Sequence, residues 1–419
     1  LAVIIVCPYQ HLVEQWVEDI ERFGFRPVIA FSSSPQKKWK ERLKDEVIDF
    51  NLEIEDTICL VTTNATYTSK YVQEQIGKIE GDILIVVDEA HNFGAMRLSR
   101  YLRDDIKYRL ALSATLERHG DEEGTQALYS YFGNKCIEYD LKRAIDEDKL
   151  TKYYYHPIIV SLSDDELEKY RELSAKISKA CKYNEDGKAE LSEAAKTLLI
   201  QRSRIVAGAI EKIAVLKELM KDYVNDNQIL VYCGATKPYN PALDESESDD
   251  EGERQIVMIS KMLGLELGMA VRHFTSNESA KEREEIKAQF AETNPYQALI
   301  AIKCLDEGVN IPSIKTAFIL ASSTNPKEYI QRRGRVLRKY PGKDYAVIYD
   351  FVTLPRPLNE VDAYEDNKSE ISLARREIAR MKEFGYISQN PQETDKLIKE
   401  ITVAYGLDMI KNQEVDYEL

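Results

Sequence analysis

Five consecutive aliphatic residues, Ile83-Leu84-Ile85-Val86-Val87, run directly into Asp88-Glu89-Ala90-His91. An uninterrupted apolar run bounded by polar residues fits a parallel strand covered on both faces, because a strand with one wet face would alternate. Short apolar strands elsewhere alternate with helical patterns such as His11 to Phe23 and Trp39 to Asp49, the rhythm of an α/β layer architecture. In open sheets of this kind ligands collect beyond the carboxyl ends of the strands. Asp88 then stands where a phosphate-bound magnesium needs an oxygen ligand, and Glu89 where an attacking water needs to be oriented and deprotonated. In isolation the same tetrad would also suit an ordinary acidic turn.

Two further segments bear on that ambiguity. Ser113-Ala114-Thr115 follows a second apolar stretch, Leu110-Ala111-Leu112, twenty-five positions after Asp88. Toward the other end, Tyr329-Ile330-Gln331-Arg332-Arg333-Gly334-Arg335-Val336-Leu337-Arg338 follows Asn325-Pro326, an N-cap with proline at the first helical position. A helix running on through Arg338 places Gln331, Arg335 and Arg338 on one face. Two guanidiniums and an amide offered to a single target suit the charge that develops during phosphoryl transfer; the plain alternative is a solvated basic face.

Taken together, Asp88-Glu89-Ala90-His91, Ser113-Ala114-Thr115 and Gln331 to Arg338 resemble motifs II, III and VI of superfamily 2 helicases. The likeness extends over most of the chain. Val6-Cys7-Pro8 with Leu12-Val13-Glu14-Gln15-Trp16 resembles motif Ia, Val61-Thr62-Thr63-Asn64 motif Ib, Ile229 to Cys233 motif IV, and Cys304 to Pro312 motif V. The Leu-Val-Glu-Gln-Trp segment and the Gly334-Arg335-Val336-Leu337-Arg338 form of motif VI are most similar to XPB-type repair helicases and type III restriction subunits, relatives that act on DNA.

The resemblance implies an ATP-dependent DNA helicase or translocase of two RecA-like lobes, with ATP and Mg2+ as cofactors and nucleic acid gripped as the lobes close on nucleotide. It implies magnesium at Asp88, water activation at Glu89, and a link through His91 to Ser113 and Thr115. Arg335 and Arg338 become arginine fingers, with Gln331 beside them. Gly308 and Asn310 face the nucleotide, and Pro8, Thr62 and Thr63 lie along a nucleic-acid backbone. An RNA-directed motor of the same superfamily is one alternative, and a binding fragment inert toward ATP is another.

The departures are specific. No Gly-x-x-x-x-Gly-Lys-Ser/Thr loop occurs in the 419 residues, so the usual phosphate cradle is missing. Leu1 to Val6 reads as the strand that follows that element, which places the cradle upstream of Leu1; a natural pseudo-ATPase is the competing reading. In motif V, Asn310 replaces the usual Asp and can still hydrogen-bond a ribose hydroxyl. Ile302 replaces a frequent Thr and cannot bind a phosphate.

A chain of this length at 43% apolar content can bury large cores, and two to three domains are expected. The six cysteines lack paired spacing, which argues against a zinc site or disulfide framework and for a reducing, intracellular setting, cytoplasmic or nuclear. Of the five histidines only His91 has a motif context. No apolar run is long enough to cross a bilayer. The net charge of -15 argues against a polyanionic partner until its distribution is considered. Seven acids against one base lie between Asp244 and Arg254, whereas Lys327 to Lys343 carries seven bases against Glu328 alone. Binding depends on the local potential.

The expected architecture is therefore α/β: two RecA-like parallel-sheet lobes with a helical insertion and a C-terminal helical extension. The first lobe spans 1–145, the second 146–356 with a helical insertion at 164–223 and a mobile acidic loop at 238–254, and the extension covers 357–419. Leu167, Tyr170, Leu173 and Ile177, then Ile205, Ala209, Ile213, Leu216 and Leu219, recur at helical spacing and read as packing stripes. The insertion could also grip a duplex or, like the extension, meet a protein partner. Tyr153-Tyr154-Tyr155 is expected to fill an interlobe core rather than stack bases. Thr275 to Glu292 reads as one capped helix with Ile286 and Phe290 inward.

Overall fold

A computed structural model describes residues 1–114, 116, 121–183, 189–234, 255–275, 278–293, 295–302, 311–321, 326–361 and 368–407. The chain divides into two units, Leu1–Glu138 and Tyr139–Leu419, each built on its own parallel sheet.

The first sheet contains β1 (Ala2–Cys7), β2 (Val28–Ala30), β3 (Ile58–Thr63), β4 (Ile83–Asp88) and β5 (Tyr108–Leu112), in the order β2-β3-β1-β4-β5. Every residue of β1 and β3 is buried, as a doubly covered strand requires. The two faces separate cleanly along β1. Val3, Ile5 and Cys7 pack with Val13 and Val17 of helix Gln10–Arg22, while Ala2, Ile4 and Val6 pack with Leu43 and Val47 of helix Trp39–Asn51. Each fully buried aliphatic side chain of this kind stabilises the fold by about 1.5–3 kcal/mol before entropy is counted. β5 is an edge strand, and Tyr108 and Leu110 on it are exposed.

The second sheet orders its strands β10-β11-β9-β12-β13-β6, all parallel. These are β6 (Lys152–Ser161), β9 (Ile229–Cys233), β10 (Val271–Phe274), β11 (Ala298–Ile302), β12 (Thr316–Ile319) and β13 (Tyr345–Leu354). The expected capped helix forms over Ala280–Ala291, five residues later than its sequence pattern begins. Ser279 is the N-cap in a reciprocal capping box with Glu282, and this fixes the start. Ile286 and Phe290 are buried, as their spacing predicts.

The segment read as a helical insertion is interrupted. Helix Asp164–Ala180 gives way to an antiparallel ribbon, β7 (Cys181–Tyr183) with β8 (Ala189–Leu191), before helices Glu193–Gly208 and Glu211–Met220. Leu167, Tyr170, Leu173, Ile205 and Ala209 form one buried cluster with Leu373, so this stripe is packing. Ile213 and Leu219 are only half-buried; the inward face of the last helix carries Lys212, Leu216 and Met220 instead. The Lys212 ammonium is accommodated because it donates to the carbonyls of Val206, Ala207 and Leu320.

Helices Lys368–Gly385 and Pro391–Ala404 dock on this second sheet rather than standing apart. Asn390 donates to and accepts from the Tyr155 main chain at 2.9 Å each, closing the open edge of β6 as a further strand would. Tyr153 and Tyr155 are buried within this unit, Tyr155 stacked on Phe384, whereas Tyr154 is exposed; the expectation of an interlobe core is replaced by an aromatic seam under the C-terminal helices. Beneath them Arg380 binds Asp350 at 3.0 Å and both oxygens of Glu377 at 2.9 and 2.7 Å, and the Tyr155 hydroxyl donates to Asp350.

Helix Pro326–Val336 ends before Arg338. The Arg338 main chain bridges to Leu150, and Lys343 donates to the carbonyls of Pro312, Val336 and Arg338, so a buried cation closes the helix terminus. Burial pushes the Lys343 ammonium down to about 7, against which its three carbonyl acceptors favour the charged form. Lys343→Met is expected to destabilise the protein by about 2 kcal/mol or more, read as a lower urea midpoint, because three carbonyls lose their donor. An unchanged midpoint would show that this cap contributes nothing. The acidic segment 238–254 lies outside the described residues.

Candidate active site

Asp88 closes β4, between β1 and β5, at the carboxyl rim of the first sheet. Its Oδ1 accepts from the Glu89 backbone N–H at 2.9 Å and its Oδ2 from the Trp16 indole N–H at 3.0 Å. Burial raises the carboxyl above its ordinary range, with the negative charge of Glu89 adding to the effect and the Trp16 hydrogen bond opposing it.

Glu89 has φ +48° and ψ 48°, a left-handed conformation that costs a non-glycine residue on the order of 1 kcal/mol or more and persists where the surroundings impose it. Here the Asn92 main-chain and side-chain N–H groups both donate to the Glu89 carbonyl at 3.0 Å, starting the 3-10 turn Ala90–Gly94. Gly124, on helix Glu122–Phe132, lets that turn come close: a Cβ there would meet the Gly94 carbonyl oxygen at 2.6 Å. The sharp turn sends the Glu89 carboxylate and the His91 ring to the same side of the rim.

His91 Nδ1 lies 3.3 Å from Glu89 Oε2 and 3.4 Å from Ser113 Oγ. One nitrogen cannot serve both partners in the same way. The hydrogen bond is the one to Ser113, whose hydroxyl accepts when Nδ1 carries a proton and donates when it does not, while the Glu89 carboxylate stands at ion-pair distance from the same nitrogen. The ring thus sits between the carboxylate and the end of β5. Thr115 lies outside the described residues.

The groove-forming part of the first unit follows the ends of β1 and β3. Pro8, Tyr9, Gln10, His11 and Thr63 line one surface groove together with Lys40. Thr62 does not reach it: the side chain is fully buried and its hydroxyl donates to the Ala30 carbonyl at 2.8 Å. Thr63 caps the short helix Asn64–Tyr67. Trp39 and Tyr71 meet edge to face in the same groove, with the Lys40 ammonium 5.6 Å from each ring.

In the second unit the arginines of the basic segment part company. Arg332 is buried, donates to the Ala321 carbonyl and lies 3.8 Å above the Tyr232 ring. Arg333 is buried as well, held by the Glu383 carboxylate at 2.8 Å and close to the Tyr153 hydroxyl and the Phe384 ring. Arg335 and Arg338 stay half-exposed. The shared face expected for Gln331, Arg335 and Arg338 is corrected: Gln331 and Arg335 belong to the helix, whereas Arg338 sits past its end. Gly308 and Asn310 lie outside the described residues.

Two family models cover the units separately. The type III restriction enzyme res subunit matches residues 2–118, and the helicase conserved C-terminal domain matches 211–340. The chain belongs to the superfamily 2 helicases. Within that superfamily it is of the XPB and type III restriction subunit kind. DNA 3'-5' translocase XPB2 of Sulfurisphaera tokodaii is 27% identical over 323 residues, 72% of this chain and 66% of the relative, so this helicase chain spans just under two thirds of that protein. Among solved structures, the Pyrococcus furiosus Hef helicase domain is 18% identical, covers 84% of this chain and 86% of its own, with a TM-score of 0.48. The ATP-dependent Type ISP restriction-modification enzyme LlaBIII bound to DNA aligns with 99% of this chain over 30% of its own, at 12% identity and a TM-score of 0.56, and so shares the fold.

Sequence reasoning gave this superfamily 2 chain its acidic tetrad but assigned no role to Trp16. The residue stands in the Leu-Val-Glu-Gln-Trp segment, and the usable signal was a ring with one polar N–H beside the inward Val13 and Val17 on the same helix. Among the described residues, no cluster of three or more metal-ligating side chains occurs, and no helix is long and apolar enough to cross a membrane.

Proposed function

We propose that this chain is the core of an ATP-hydrolysing DNA helicase or translocase, working inside the cell. The observation that carries the reading is the Glu89, His91 and Ser113 contact series at the rim of the first sheet, beside a carboxylate held by two donors. DNA is favoured as the track because XPB2 is named a DNA translocase and LlaBIII is bound to DNA.

The residues fit Mg2+ in the manner of a nucleotide enzyme: Asp88 offers hard oxygen donors that its two hydrogen bonds leave with lone pairs to spare, and magnesium characteristically completes its shell with phosphates and water. When bound, Mg2+ and ATP supply the electrophilic phosphoryl group and part of the charge neutralisation. Asp88 would hold the metal. Glu89 would orient a water and take its proton, with the left-handed turn fixing the direction of its carboxylate. His91 would link the nucleotide site to Ser113 and Thr115 through its contact with the Ser113 hydroxyl. Gln331, Arg335 and Arg338 are proposed for the developing phosphate charge, and Gly308 and Asn310 for the nucleotide. Pro8 and Thr63 would track the nucleic acid, with the Trp39, Tyr71 and Lys40 cluster beside them; Thr62, being buried, would support that rim from behind. The glycine-rich phosphate cradle is not among these residues. We further propose 164–223 as an insertion in a second lobe beginning near residue 146, and 357–419 as an extension of it, either of which could meet a protein partner.

The test is steady-state ATP hydrolysis by the natural full-length protein with no nucleic acid, duplex DNA, single-stranded DNA or RNA. Stimulation by DNA is expected, with RNA ineffective. Stimulation by RNA alone would make the track RNA, and absence of turnover in every arm would overturn the motor reading.

A further inference from the structure

We infer that Trp16 is the positioning residue through which occupancy of the groove at Pro8 to His11 is felt at the Asp88 carboxylate. The inference rests on the function proposed above and adds a means of control to it. Its basis is the path of the chain. β1 ends at Cys7, Pro8 and Tyr9 turn along the groove, and helix Gln10–Arg22 starts there, with Gln10 and His11 still in the groove wall. Trp16 lies five residues beyond His11 on the same helix, about 7–8 Å along its axis at the usual rise. Val13 and Val17 seat this helix on the sheet, so the groove corner and Trp16 belong to one packed element.

The ring itself is half-buried against that apolar layer, so the indole cannot swing away independently of the helix. Its N–H meets Asp88 Oδ2 at 3.0 Å, across 72 positions of sequence. Oδ1 of the same carboxylate is held from the other side by the Glu89 N–H. The plane of the carboxylate is therefore set by one donor from its own turn and one from the groove helix. A displacement of the Pro8 to His11 corner when a polyanion binds would pass along the helix to the second donor and rotate the carboxylate that would hold the metal. Partners that orient a metal-binding group in this way typically govern metal affinity or activity by 10–100-fold.

The experiment uses the natural full-length protein carrying 5-fluorotryptophan, with the Trp16 resonance identified by its disappearance in Trp16→Phe. Duplex DNA alone, and Mg2+ with ATP alone, are each expected to shift that 19F resonance. In Trp16→Phe, which keeps the ring but lacks the N–H, DNA stimulation of hydrolysis is expected to fall about tenfold and the Mg2+ half-saturation to rise about tenfold, with DNA affinity within threefold of wild type. A second substitution, Trp16→Leu, should do the same, which separates loss of the donor from loss of the ring. Unchanged stimulation and Mg2+ dependence in a folded Trp16→Phe, or a Trp16 resonance that ignores DNA, would overturn the proposal while leaving the motor intact. A wild-type protein without DNA-stimulated turnover would overturn the functional reading and the proposal together.

Discussion

Glu89→Gln is expected to lower DNA-stimulated ATP turnover by roughly 10²–10⁴-fold, the range lost when a general base is removed, while nucleotide and DNA affinities stay near wild type. Glutamine is nearly isosteric, so the left-handed backbone at φ +48° and the Asn92 donors that hold it remain satisfied. The side chain can still meet His91 Nδ1, which preserves packing along the rim. What is removed is the capacity to take a proton from water. Paired measurements of turnover and of binding to a non-hydrolysable nucleotide separate chemistry from affinity. Turnover retained within about fivefold would mean that another group orients the water.

The second large effect concerns stability. Arg380→Met should destabilise the second unit by about 3–5 kcal/mol, because it leaves Asp350 and Glu377 buried without their common cation. Burial already pushes the Glu377 carboxyl above its ordinary range, with Arg380 acting against that. The sharper test is the comparison with replacing Asp350, Glu377 and Arg380 together by apolar residues of similar volume. No carboxylate is left stranded, and much of the lost stability is expected to return, with Lys212 still held by its carbonyl acceptors. Urea unfolding of both variants, followed with limited proteolysis of 368–407, reads the effect. Equal destabilisation of the single and triple variants would show that the network matters for its packing and not for its charges.

The strand entering Asp88 was readable because burial on both faces writes itself as a continuous apolar run, and the Ser279 cap because its chemistry is local. What could not be read depends on distant partners. Nothing in Arg332-Arg333-Gly334-Arg335 says that the first two are buried, since their acceptors are Ala321 and Glu383. Lys212 sits on an inward face because carbonyls from the end of helix Glu193–Gly208 and from Leu320 converge on it. Thr62 and Thr63 are adjacent in a strand, and the alternation of side chains alone sends one into the sheet and leaves the other at its rim. Arg338 was placed on a helix whose end is set by Lys343 and Leu150, and neither is visible in the local pattern.

Arg333 also bears on how this protein can be dissected. Its guanidinium joins the basic helix to Glu383 and Tyr153, so the helix that carries Arg335 is bolted to the C-terminal helices as firmly as to the sheet. A fragment trimmed at the last strand would keep every recognisable motif yet strand a buried cation and uncover the edge of β6. The minimal autonomous piece of the second unit is therefore larger than its motifs, and the terminal helices are part of what gives the arginines a fixed address.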